Sequence, residues 1–90
     1  MEQLLTMVKV DLHITTTAYD TRLTQYLTSA KKYIETEGIT VDITRMDDAQ
    51  LVVSYAAWIW RKRETGEPFP QWLRWELNNR LFSEKMNAEG

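Results

Sequence analysis

Apolar residues recur at helical spacing along most of the chain. Between residues 2 and 12 they stand three or four positions apart, and over 18–37 they fall within an arc of about 120°, as on an amphipathic helix. Segments 45–65 and 70–87 also fit helical periodicity. Residues 38–44 alternate apolar and polar positions, but a lone strand has no partner, so we expect an extended linker there. The pattern predicts an all-α fold, a small bundle of four helices.

Residues with strong terminal preferences stand at the ends of these segments. Thr17 and Thr44 are suited to the N-cap positions of the second and third helices, because a threonine hydroxyl can accept a free backbone N–H. Gly38 and Gly66 follow the same two helices and are suited to ending them. Pro70 is suited to the first position of the fourth helix, where no backbone N–H is needed.

The last two helices are apolar on more than one side. In the middle of the third, only Ser54 interrupts the apolar surround, so this helix must be buried all round by its own core or by a neighbouring chain. The fourth has a leucine stripe that suits the core and an aromatic stripe about 150–180° away. We expect Trp60 of the third helix and the second stripe of the fourth to contact another chain: Trp72, Trp75, Phe82 and Met86.

Length and composition narrow the possibilities. Ninety residues make one domain, 1–90, with a small core, and the polar end, 83–90, is expected to be frayed unless a partner orders it. The longest nearly apolar run is about ten residues and too short for a membrane span, so we expect a soluble protein without a membrane partner. The absence of cysteine excludes disulfides.

The sequence offers no catalytic or metal-binding group. His13 is the only histidine, and the carboxylates of Asp47 and Asp48 in the first turn of the third helix are explained by the helix dipole. An enzyme needs a positioned acid, base, nucleophile or metal, and none can be named. We therefore expect no enzyme, no metal and no cofactor.

A basic run, Arg61, Lys62 and Arg63, ends the third helix. Cations at a helix C-terminus are favoured by the dipole, and this explains the run without a ligand. Two other interpretations remain open: contact with DNA phosphates and contact with acidic groups of a partner. A net charge of −2 argues against tight, sequence-independent binding of nucleic acid.

The run Asp48–Arg63 is followed by Gly66, Pro70 and Leu77–Phe82, and it is preceded by Val8, Lys9, Leu12, Asp20, Leu23, Ala30–Glu35 and Gly38. Taken in this order, these residues resemble the head–tail connector (adaptor) family of tailed bacteriophages. The resemblance covers about residues 4–82 and is strongest from Asp48 to Phe82.

The resemblance implies a structural role without catalysis. Such proteins form a ring, dodecameric in the virion, beneath the portal of the capsid. The ring extends the DNA channel, through which DNA passes without sequence-specific binding, and offers a docking surface to the stopper or tail-completion protein. The implied location is the virion, and the host cytoplasm during assembly. Whether the isolated chain is a monomer stays open.

The alternative function is a small helical DNA-binding module or regulator. It is motivated by the basic run and by the helix–turn–helix that residues 61–75 could loosely form. A recognition helix reads bases with polar side chains near its N-terminus. Here the fourth helix begins Pro70-Gln71-Trp72, and its early part carries few cations, so we prefer the connector.

Overall fold

The computed structural model describes residues 1–89 and confirms the all-α prediction. Over that range it contains four helices and no strand. Their bounds are α1 Glu2–Leu12, α2 Asp20–Thr36, α3 Met46–Thr65 and α4 Gln71–Glu89.

Helix α3 lies at the centre of the fold and packs against both α1 and α2. Residues on its opposite sides are buried, with Leu51 at 4% and Val53 at 1% exposure. The apolar surround of α3 is therefore largely covered by its own chain. The same core contains Leu4 and Val8 of α1 and four residues of α2: Leu23, Leu27, Ala30 and Ile34.

The segment between α2 and α3 is a linker without strand structure, as predicted. Ile39 is fully buried, and Val41 and Ile43 are half-buried against the core. Helix α4 returns across this linker. The polar links between the two include a hydrogen bond of 2.8 Å from the backbone N–H of Thr40 to the carboxylate of Glu84.

The two predicted threonine N-caps are wrong. Helix α2 begins at Asp20, two residues later than expected, because Thr17 lies in a preceding turn where its carbonyl accepts the Asp20 N–H. Thr44 lies one residue before Arg45, which is the N-cap position of α3, and its hydroxyl instead donates to the Asp42 carboxylate at 2.6 Å. Neither helix has a side-chain N-cap hydrogen bond.

The other helix ends follow the sequence more closely. Gly66 ends α3 with a φ of +74°, as predicted. His13 ends α1 in the left-handed conformation, with a φ of +58°. Pro70 directly precedes α4 instead of forming its first residue, and its carbonyl accepts the Arg74 N–H at 3.1 Å. Helix α4 continues to Glu89, two residues beyond the predicted end.

Candidate functional site

Among the described residues, the outward side of α4 carries more exposed large apolar side chains than any other helix. Its exposed fractions are 60% for Trp72, 66% for Trp75, 67% for Phe82 and 56% for Met86. These four residues are called the aromatic face of α4 below. At 1.5 Å rise per residue the face is about 21 Å long.

The opposite side of α4 fixes the position of this face. Leu73 and Leu77 are buried, with exposures of 0% and 1%, and Leu81 packs against the core. The sequence expectation for the leucine stripe is confirmed. Because one side of the helix is anchored in the core, the aromatic face must point away from it.

Two ion pairs flank the leucine stripe. Arg74 donates to the carboxylate of Glu37, just after α2, at 2.6 Å. Arg80 donates to Asp48, in the first turn of α3. These contacts hold α4 against both ends of the α2–α3 linker, so that the aromatic face is presented on a fixed support.

Asp48 is the buried member of the second pair, at 3% exposure. One carboxylate oxygen accepts from Arg80, and the other accepts the backbone N–H of Asp42 at 2.8 Å. The helix dipole alone therefore does not account for this residue. Sequence reasoning missed the pair, although Arg80 adjoins Leu77 and Leu81 in helical spacing and so lies beside the core stripe.

Open cavities adjoin the aromatic face. One, of about 200 Å³, lies between α3 and α4 and is bounded by Leu51, Ser54, Trp72 and Glu76. Another, of about 320 Å³, lies beside Trp72 and Trp75. The N-terminal half of the face, around the two indole rings, is therefore flanked by depressions that are open to a partner side chain.

Trp60 lies apart from this face. It is half-buried, and its ring packs edge-on against Tyr19 and Tyr26, with centroid distances of 5.2 and 6.4 Å. Trp60 thus contributes to packing within the chain, and its predicted contact with another chain stays a prediction. Trp58 is similarly engaged, since its indole N–H donates to the Glu67 carbonyl at 3.1 Å.

The basic run at the end of α3 divides between two surroundings. Arg61 pairs with Asp11 of α1 at 3.2 Å. Lys62 lies over the ring of Trp58, 5.1 Å from the centroid, and Arg63 lies 5.9 Å from the centroid of Tyr26. The three cations therefore do not act as one patch, and only Lys62 and Arg63 face α2.

Among the titratable groups that the structure describes, two have a shifted pKa. Hydrogen bonds from the Thr44 hydroxyl and backbone N–H lower the pKa of the Asp42 carboxyl. Burial raises the pKa of the Tyr55 phenol, and the Glu37 carboxylate acts in the same direction. Each shift has a structural cause, and neither identifies a catalytic group.

Within residues 1–89, no three histidine or carboxylate side chains are grouped as a metal site would require. Across the same part of the chain, no helix combines the length and apolarity needed to cross a bilayer. Comparison of the chain with protein-family models, curated proteins and solved structures gives no match.

Proposed function

We propose that this protein is a non-catalytic structural subunit that assembles with other subunits through the aromatic face of α4. The observation that carries the proposal is the exposure of Trp72, Trp75, Phe82 and Met86 on a helix whose opposite side is anchored in the core. Large aromatic side chains on a rigid support are the usual anchors of protein–protein interfaces.

The size of the face favours association. Typical side-chain areas put its exposed apolar surface at roughly 500 Å², near the upper end for the largest patch of a monomeric protein. At about 25 cal/mol per Å², removing this area from water contributes on the order of 10 kcal/mol before the entropic cost of association. A standard interface buries about 800 Å² per partner, so the face would form the central part of one.

A ring requires two different surfaces on each subunit, because a head-to-tail contact repeats until the rotation closes. The aromatic face supplies one. A second candidate is an open cavity of about 320 Å³ between α1 and α3, lined among others by Met7, Val10, Gln50 and Val53. Val10 is 71% exposed, so this cavity has an apolar rim to receive a neighbour.

The resemblance of residues 4–82 supports a specific assembly, the head–tail connector of a tailed bacteriophage. In this proposal twelve copies form a ring under the capsid portal, and the ring extends the DNA channel without reading its sequence. The portal binds above and the stopper or tail-completion protein below. The protein then resides in the virion, and in the host cytoplasm during assembly.

The experiment measures assembly of the purified chain by sedimentation velocity and native mass spectrometry, alone and with the portal protein of the same phage. We expect a ring-sized species that requires the aromatic face. Trp75→Ala with Phe82→Ala should weaken assembly at least about tenfold. Met46→Ala is the matched control, because Met46 is also 66% exposed but lies at the start of α3.

Two results would contradict the proposal. One is a wild-type chain that stays monomeric up to about 1 mM, which corresponds to an association weaker than about 4 kcal/mol, and also fails to bind portal. The other is assembly of the double variant at the wild-type concentration. A portal or capsid gene beside the gene of this protein would support the phage assignment independently.

A further inference from the structure

A second surface, distinct from the aromatic face, lies between α2 and α3. It is an open groove of about 350 Å³. Its lining combines aromatic rings, hydroxyl groups and cations, and contains no carboxylate; the residues used below are Tyr26, Ser29, Tyr33, Trp58, Lys62 and Arg63.

The two cations of the groove have no acidic partner within the described part of the chain. Among the described residues, six Lys or Arg side chains form ion pairs, and neither Lys62 nor Arg63 is one of them. Both are exposed and lie over ring faces, Lys62 over Trp58 and Arg63 over Tyr26. The groove therefore presents two positive charges along one side.

The hydroxyl groups that line the groove add uncharged hydrogen-bond donors. In the part of the chain that the structure describes, the hydroxyls of Tyr26, Ser29 and Tyr33 make no hydrogen bond to another residue. Tyr33 is 53% exposed, and its ring stacks on that of Tyr55, with 6.0 Å between the ring centroids. Because a hydroxyl can donate to an anion, the groove combines positive charge with free donors around an aromatic floor.

We propose that this groove binds an acidic, partly apolar segment of a partner protein. One or two carboxylates would accept hydrogen bonds from Lys62, Arg63 and the hydroxyls, and neighbouring apolar side chains would pack on the rings. The helix dipole explains why cations are favoured at this end of α3. It does not explain why hydroxyl groups of α2 lie beside those cations in the same groove.

Two observations favour an acidic peptide over nucleic acid. The chain has a net charge of −2, which opposes the approach of a long polyanion. Tight non-specific DNA binding typically uses about 6–10 phosphate contacts, many more than two cations can make.

The test uses a dye-labelled peptide of alternating glutamate and leucine, with a glutamine–leucine peptide as its uncharged counterpart. Binding to the full chain is followed by fluorescence anisotropy at about 50 mM and about 300 mM salt, since exposed charges are screened over this range. We expect the glutamate peptide to bind at least about tenfold more tightly than its counterpart at low salt.

Variants locate the site. Lys62→Gln with Arg63→Gln should weaken binding of the glutamate peptide at least about tenfold. Arg45→Gln with Lys85→Gln removes the same charge outside the groove and should change it less than about twofold. Tyr33→Phe removes one donor, keeps the supporting ring, and should give a smaller loss than the groove double variant. Circular dichroism checks that each variant folds.

Four outcomes would overturn the proposal. They are no binding of the glutamate peptide up to about 1 mM, equal binding of the two peptides, equal losses in the groove and control variants, and tighter binding of a short DNA strand than of the peptide. The last would assign the groove to nucleic acid. None of them bears on the aromatic face, so this test and the assembly test stand independently.

Discussion

Arg80 of α4 donates a hydrogen bond to the buried carboxylate of Asp48 in the first turn of α3. The exposed fractions of the two side chains are 22% and 4%. The other Asp48 oxygen accepts the backbone N–H of Asp42, so a single carboxylate connects α3, the linker and α4. The position of the aromatic face thus depends on a charged pair as well as on the leucine stripe.

Removing Arg80 should destabilise the fold, because it leaves the Asp48 carboxylate buried with one donor fewer. For Arg80→Ala we expect a loss of about 2 kcal/mol in the free energy of unfolding, measured by urea denaturation of the monomer. The control is Arg45→Ala, whose pair with Asp47 is 66% and 62% exposed. It should cost less than about 0.5 kcal/mol. Equal losses would contradict this account of Asp48.

The two interhelical glycines should differ in their tolerance of a side chain. Gly38 has a φ of +104°, and a β-carbon there would lie 3.1 Å from Leu81 Cδ1. Gly66 has a φ of +74° and no heavy atom within 4 Å of that position. We expect Gly38→Ala to lower the free energy of unfolding by about 2 kcal/mol and Gly66→Ala to lower it by about 1 kcal/mol. A reversed order in thermal melts would show that Leu81 moves aside freely.

Truncation should destabilise the isolated chain at Trp60 but hardly at Trp72. Trp60 is packed against Tyr19 and Tyr26, so Trp60→Ala should destabilise the isolated chain by about 2 kcal/mol. Trp72 is 60% exposed, and Trp72→Ala should stay within about 0.5 kcal/mol of wild type. Urea unfolding at a concentration where the chain is monomeric separates the two, and a larger loss at Trp72 would place its ring in the core.

The Asp42–Thr44 contact should make stability depend on pH. The pKa of Asp42 in the fold lies below its ordinary value of 3.8, so the carboxylate form stabilises the fold. This contribution is fully present above pH 3.8 and is lost as the pH falls through the lower, folded-state pKa. Thr44→Val removes the hydroxyl, which is the largest cause of the shift.

The variant should therefore melt below wild type at neutral pH, and the gap should close in acid as Asp42 becomes protonated. Melting temperatures from about pH 7 down to about pH 2.5 measure the gap. Thr40→Val is a control on the same linker, because the Thr40 hydroxyl contacts Glu84 and not Asp42. A gap that persists unchanged in acid would mean that the Thr44 hydroxyl acts independently of Asp42.

Periodicity was sufficient for the helices and for dividing α4 into a leucine stripe and an aromatic stripe, because apolar residues at spacings of three and four define a side of a helix. Which stripe joins the core depends on packing: Leu73 and Leu77 are buried, and Trp75 is exposed. The cap residues were less predictable. Thr44 has the right chemistry for an N-cap, but α3 has Arg45 at that position, and the Thr44 hydroxyl and N–H donate to the Asp42 carboxylate in a local turn.

The sequence by itself determined that the chain is helical, that α3 is apolar nearly all round and that α4 has two apolar sides. It could not determine how much of that surface the chain covers itself, because burial depends on which distant helices meet. Tertiary structure decided that the two sides of α3 are enclosed by its own neighbours, that Arg80 finds Asp48, and that Arg61 is separated from Lys62 and Arg63. The Arg80–Asp48 and Arg61–Asp11 contacts join residues that are 32 and 50 positions apart in the chain. They depend on how the helices pack, so the spacing of residues within one segment cannot predict them.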